Sequence, residues 1–195
     1  MRIRAALPLT LLLTAATASC GSGPAPDTTG TPTPFSAVTT STPKGFIAAE
    51  CPATANGKRV VVKLAVPSGF DPESTDPSDQ TPNGLCTWRS PEDHVLSVQV
   101  GEKESLADKN DELKTYEDIG GDDEVKDVSY DASTDAFGGL EGERLTWWTY
   151  SDGSPADCVH VQADGIRLFW ENPDGTDQRL GDLEVVLDSL ALVSA

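Results

Sequence analysis

Apolar and polar residues alternate most regularly between Leu140 and Trp170, in the stretch LEGERLTWWTYSDGSPADCVHVQADGIRLFW. A strand with one buried face requires such alternation, because successive side chains point to opposite faces. The stretch predicts strands joined by turns at Ser151-Asp152-Gly153-Ser154 and Ala163-Asp164-Gly165. It holds three of the four tryptophans, and Trp147 beside Trp148 sends one indole to each sheet face. By composition, Leu145, Trp147 and Thr149 belong with Ile166, Leu168 and Trp170 as the core set. Thr146, Trp148 and Tyr150 belong with Arg167, Phe169 and Glu171 as the mixed set.

The same reading places elements along the rest of the domain. Residues 45–51 suggest a short helical turn. Residues 59–66 (RVVVKLAV) predict a β-branched strand, with Val60, Val62, Leu64 and Val66 inward and Arg59, Val61, Lys63 and Ala65 outward. Residues 67–84 read as a polar loop. Residues 85–89 and 94–101 predict a hairpin across Ser90-Pro91-Glu92-Asp93, with Leu96, Val98 and Val100 inward and Ser97 and Gln99 outward. Ser105 and Asp108 form a capping-box-like start for a helix whose face holds Leu106, Asn110, Leu113 and Tyr116, and Gly120-Gly121 stops it. A short strand over 125–130, a connecting loop over 133–139 and a turn over 172–175 follow. A last helix begins at Asp182, with Leu183, Val186, Leu187 and Leu190 as one stripe. The expected fold class is α+β, an antiparallel sheet with both helices shielding one side.

The first 44 residues follow a different pattern. Arg2 and Arg4 precede a short apolar run interrupted by Pro8 and ending in small residues, which is a secretory signal rather than a membrane span. Thr17-Ala18-Ser19-Cys20 resembles a bacterial lipobox, with Thr17 where an aliphatic residue is usual. That resemblance implies a signal peptide over 1–19 and a fatty-acyl anchor, palmitate included, on Cys20. Residues 20–44 are rich in Pro, Thr, Ser and Gly and lack the apolar surface to fold, so they read as a disordered tether. The folded domain is expected over 45–195.

Charge narrows the partners. The 195-residue chain carries a formal net charge of -18, and removal of residues 1–19 takes away two arginines and no acid. So acidic a surface repels phosphate backbones and anionic lipid, which excludes nucleic acid and leaves the anchor as the only expected tie to a membrane.

Cys51, Cys86 and Cys158 remain in the domain, an odd number in an exported chain. One disulfide and one thiol is the simplest account, and three pairings are open. Cys51 with Cys86 is favoured because both flank the first strand and its long loop. A closed loop of about 35 residues is worth roughly 3–4 kcal/mol in the chain-entropy model. Cys158 then reads as a buried thiol on a strand.

Sequence chemistry is sparse. Cys158 and His160 point the same way from one strand, but a structural zinc needs four ligands and no second half exists, so His160 reads as an outward polar residue. Asp122-Asp123-Glu124, the Asp71–Asp79 loop and residues 172–177 lack the spacing of a calcium loop. No hydrolase elbow, phosphate loop or dinucleotide fingerprint occurs, so no catalytic residue, metal or cofactor is expected. The aromatic residues carry the binding expectation: Trp148, Tyr150 and Phe169, with Arg144, Arg167 and His160, as one exposed or half-covered sheet face. The alternative is that another segment, for example the loop after Asp71, covers them as a second small core.

Val66-Pro67-Ser68-Gly69-Phe70, a hairpin, a helix, long antiparallel strands and a terminal helix with Asp188-Ser189-Leu190 together resemble the PsbP/Mog1-like α/β sandwich, and more narrowly actinobacterial lipoproteins of that type. The resemblance spans residues 58–193. It implies a central antiparallel sheet flanked by helices, in proteins that bind or assist assembly rather than catalyse. The cysteines are not part of its pattern, and it assigns no functional residue. The expected role is a tethered extracytoplasmic module binding an unknown protein or cell-envelope ligand. The alternatives are an envelope-polymer hydrolase using an Asp/Glu pair and a structural spacer.

Overall fold

A computed structural model describes residues 41–55, 57–74, 84–101, 104–119, 124–151, 154–173 and 180–194. The leader, Cys20, most of the tether and most of the loop after Asp71 lie outside the described residues.

Ten strands and two helices are described: β1 (Phe46–Ala55), β2 (Lys58–Pro67), β3 (Asp71–Ser74), β4 (Leu85–Arg89), β5 (Val95–Val100), α1 (Leu106–Ile119), β6 (Glu124–Phe137), β7 (Leu140–Ser151), β8 (Ser154–Ala163), β9 (Ile166–Asn172), α2 (Leu180–Ser189) and β10 (Ala191–Ser194). They form two antiparallel sheets, β1-β2-β10 and β3-β4-β5-β9-β8-β7-β6. The fold class is α+β. The expectation of one central sheet is corrected: β2 sits in a sheet of its own, paired with β1 on one side and β10 on the other. Residues 45–51 form strand rather than a helical turn, because Phe46 to Ala55 align in register along the whole of β2.

The main core lies between one face of the seven-stranded sheet and a layer made of the small sheet and α2. Cys86, Trp88, Leu96, Val98, Leu168 and Trp170 meet Cys51, Val62, Leu64 and Val66 there. Leu183, Val186, Leu187 and Leu190 of α2 complete it, as their spacing predicts. Ala65, expected outward, is buried; its N–H donates to Ser189 Oγ at 2.7 Å where α2 runs into β10. The Cys51–Cys86 disulfide joins β1 to β4 and so ties the two sheets together, the pairing favoured from sequence. Gly84 lies beside it at φ +89°, where a Cβ would come within 2.8 Å of Pro52 O. Only glycine tolerates both that backbone and that approach.

The helices lie on opposite faces, not on one. α2 packs on β2 and β6, whereas α1 crosses β6 and β7 on the far side of the large sheet. The cap of α1 is as predicted, with the Asp108 N–H donating to Ser105 Oγ at 3.1 Å. Residues 133–139 are mostly strand, since β6 runs on to Phe137 opposite β7. Three register shifts break that edge strand, and Asp127 has φ 55° within it. Such bulges and charges protect a long edge from pairing with another chain.

Candidate functional site

Register decides which side chains share a face. Leu145 stands opposite His160, Trp147 opposite Cys158, and His160 opposite Phe169. Hence Leu145, Trp147, Cys158, His160, Phe169 and Arg167 all lie on the α1 face. Arg144, Trp148 and Tyr150 lie on the opposite face, toward α2. The six residues expected to form one surface are therefore divided, three to each side. The expected core set is divided too: Ile166, Leu168 and Trp170 enter the main core, while Leu145 and Trp147 go under α1. Composition alone pairs the apolar rows of neighbouring strands, whereas the β7–β8 register joins an apolar row of β7 to a mixed row of β8.

Under α1 the structure has a second small core, which that helix covers; most of the loop after Asp71, the segment expected to cover it, lies outside the described residues. Leu106 and Leu145 are fully buried, and Cys158 is nearly so. Trp147 packs against the His160 ring edge-on at 5.5 Å and stacks with Phe169 at 6.2 Å. His160 also meets Phe169 edge-on at 4.8 Å. Lys109 of α1 lies 5.6 Å from the Trp147 ring centre, a cation–π contact. His160 is thus a packed ring, not an outward polar one. Burial, then the charges of Lys109 and Arg167, push its pKa down to about 3. Its Nδ1 is buried with no hydrogen-bond partner among the described residues. The Cys158 thiol is pushed up to about 12 by burial first, then by Glu171 and Asp157. Both groups are therefore held neutral, which removes a thiolate–imidazolium pair.

Beside the start of α1 the same sheet face bears, among the described residues, a cleft of about 190 Å³. Its floor is β4, β5, β9 and β8, which supply Leu85, Ser97, Gln99, Arg167, Phe169 and His160; Glu104, just before α1, forms one wall. Arg167 donates Nη1 to Glu104 and Nη2 to Gln99. Glu104 is fixed through its backbone: its N–H donates to Gln162 Oε1 at 3.1 Å, and Gln162 Nε2 donates to its carbonyl at 2.8 Å. Ser97 shares a hydrogen bond of 3.1 Å with Thr87. The cleft therefore combines an apolar ring, an ion pair and planar amide and carboxylate groups, all held before any ligand arrives.

The other three expected residues have different surroundings. Arg144 donates to Glu184 of α2 at 2.9 Å, which occupies it structurally. Trp148 and Tyr150 lie nearly parallel, 6.3 Å apart, with Lys126 Nζ 5.0 Å from the Trp148 ring centre. They form a small edge patch with Tyr150 38% exposed, separate from the cleft.

Sequence reading missed Leu85, Ser97, Gln99 and Glu104 as site residues. The outward alternation of Ser97 and Gln99 was a usable signal, but pairing of β5 with β9, far along the chain, was not readable from local pattern. Among the described residues no group of three His, Cys, Asp or Glu is placed to hold a metal ion, and no helix is long and apolar enough to cross a membrane.

No protein-family model matches the chain, and no curated protein does. Solved structures similar to it include cyanobacterial PsbP (CyanoP) from Synechocystis sp. PCC 6803, 14% identical, over 69% of this chain and 86% of that one, with a TM-score of 0.42. Another is LpqN of Mycobacterium tuberculosis, described as involved in cell envelope biogenesis, 16% identical, over 75% of this chain and 91% of that one, with a TM-score of 0.39. At these values neither likeness carries an argument about this chain, whose fold and site rest on its own geometry.

Proposed function

We propose that this chain is a lipid-anchored extracytoplasmic module of the cell envelope, of the PsbP/Mog1-like actinobacterial lipoprotein type, that binds its ligand without transforming it. The observation that carries this reading is the preformed cleft beside α1, where Arg167, Gln99 and Glu104 are already locked in place around Phe169. Preorganised polar groups beside an apolar ring favour recognition, because little side-chain freedom is lost on binding. The secretory leader, the lipobox-like Thr17-Ala18-Ser19-Cys20 and the Pro/Thr-rich tether support a location on the outer face of the membrane.

Hydrolysis of an envelope polymer is the weaker reading. It needs two carboxylates flanking one bond, whereas the described residues lining the cleft include a single one, Glu104, and Arg167 holds it.

The test is binding of the purified chain to isolated cell envelopes, comparing Ser97→Trp, which fills the cleft, with Tyr150→Ala on the opposite face. Loss of binding in the first and retention in the second is expected. The reverse result moves the site to the Trp148–Tyr150 patch, and a membrane fraction that lacks the unaltered chain in growing cells overturns the anchor.

A further inference from the structure

The cleft also limits the chemistry of what it takes, on the premise that it is the binding site proposed above. Its charged groups are already paired with one another: the Glu104 carboxylate is held by Arg167 and, at 3.9 Å, by Lys109 of α1, while Gln162 fixes its main chain. An incoming anion would have to displace a tethered carboxylate, in a chain already at -18. An incoming cation would meet the guanidinium. A neutral ligand disturbs neither.

The polar groups further require a ligand that donates and accepts at closely spaced points. Arg167 offers only N–H donors, five in all, of which Nη1 and Nη2 each make one bond to the groups named. Glu104 is an acceptor, and Gln99 and Ser97 do both. Hydroxyl groups on adjacent carbons answer that array, since each can accept from Arg167 and donate to Glu104 or Gln99. Phe169 supplies an apolar face on the same floor, suited to the C–H side of a saturated ring. The volume of about 190 Å³ is below the roughly 300–1,000 Å³ of drug-sized sites, which leaves room for one ring rather than a large molecule. We infer that the cleft binds a single neutral sugar unit, with its C–H face on Phe169 and its hydroxyls bridging Arg167, Gln99 and Glu104.

The test uses the isotope-labelled chain and NMR titration with methyl α-mannopyranoside, methyl β-glucopyranoside, methyl β-galactopyranoside and a methyl arabinofuranoside. Inorganic phosphate and octanoate serve as charged and apolar comparisons. At least one glycoside is expected to give saturable shifts centred on Ser97, Gln99 and Phe169, weakened about tenfold by Gln99→Ala, the order of one hydrogen bond to a polar ligand group. Should that variant lose its dispersed spectrum, Phe169→Leu, which removes the ring and keeps an apolar side chain, provides the same reading. Shifts from phosphate or octanoate alone, or from none of the probes, overturn the sugar assignment. If Ser97→Trp still abolishes envelope binding in that case, the binding role stands and only the ligand class falls. If Ser97→Trp binds envelopes normally, the site itself is wrong.

Discussion

Leu145 stands directly across from His160 in the β7–β8 pairing, and this one relationship sorts the aromatic residues of the protein. It places Trp147 with His160 and Phe169 beneath α1, and it sends Trp148 and Tyr150 to the other side of the sheet. Two adjacent tryptophans therefore have different roles, one in packing and one in an edge patch.

The two indoles should differ accordingly in stability. Trp147→Ala removes a half-buried ring that packs on His160 and Phe169 and lies beside Lys109, and is expected to cost about 2 kcal/mol. Trp148→Ala loses a partly exposed stack on Tyr150 and a cation–π contact with Lys126, about 1 kcal/mol. Urea unfolding of both variants checks this. Equal losses would contradict the assignment of faces.

Reducing the Cys51–Cys86 disulfide should destabilise the domain by roughly 3–4 kcal/mol, since it closes 35 residues and joins the two sheets. At about 2–4 °C per kcal/mol for a domain of this size, Tm should fall by roughly 10 °C. Calorimetry with and without reductant measures it. An unchanged Tm would mean that the link does not constrain the unfolded chain.

Cys158 should be inert in the native state. Its thiol is buried and its pKa is pushed up to about 12, so almost no thiolate exists near neutral pH. In a Cys20→Ser chain, an aromatic disulfide reagent is expected to label one thiol only after denaturation. Rapid labelling of the folded chain would contradict the packing under α1.

His160 sets a pH dependence of known sign. Its folded pKa is lowered to about 3 by burial, ahead of Lys109 and Arg167, while the unfolded ring titrates at its ordinary value. The unfolded state therefore binds the extra proton between these values, and stability is lost as pH falls through that window. From the ordinary value near 6.5 down to pH 5, this amounts to about 2 kcal/mol. His160→Gln should remove that share of the difference between pH 7 and pH 5 in urea unfolding. An unchanged difference would mean that the ring is not buried as described.

Much of the fold was legible because its signals are local. The strand of Val60, Val62, Leu64 and Val66, the hairpin around Ser90, the Ser105 cap and the stripe of α2 each depend on neighbours in sequence. Burial of Val62 or Leu183 follows from such periodicity alone. What escaped was long-range: β10 pairing with β2, the separation of the small sheet, and the β5–β9 pairing that sets Gln99 beside Arg167. Alternation states which residues of one strand share a face. It does not state which rows of two strands coincide, because a shift of one residue reverses them. The proposed surface failed at that step, and half of its residues survive in the cleft.

The most direct test of the central claim, that the ligand enters the cleft beside α1, is an amide NMR map of the labelled chain during titration with solubilised envelope material. The account predicts shifts at Leu85, Ser97, Gln99 and Phe169, with little change on the opposite face. Shifts confined to Lys126, Trp148 and Tyr150 would contradict it.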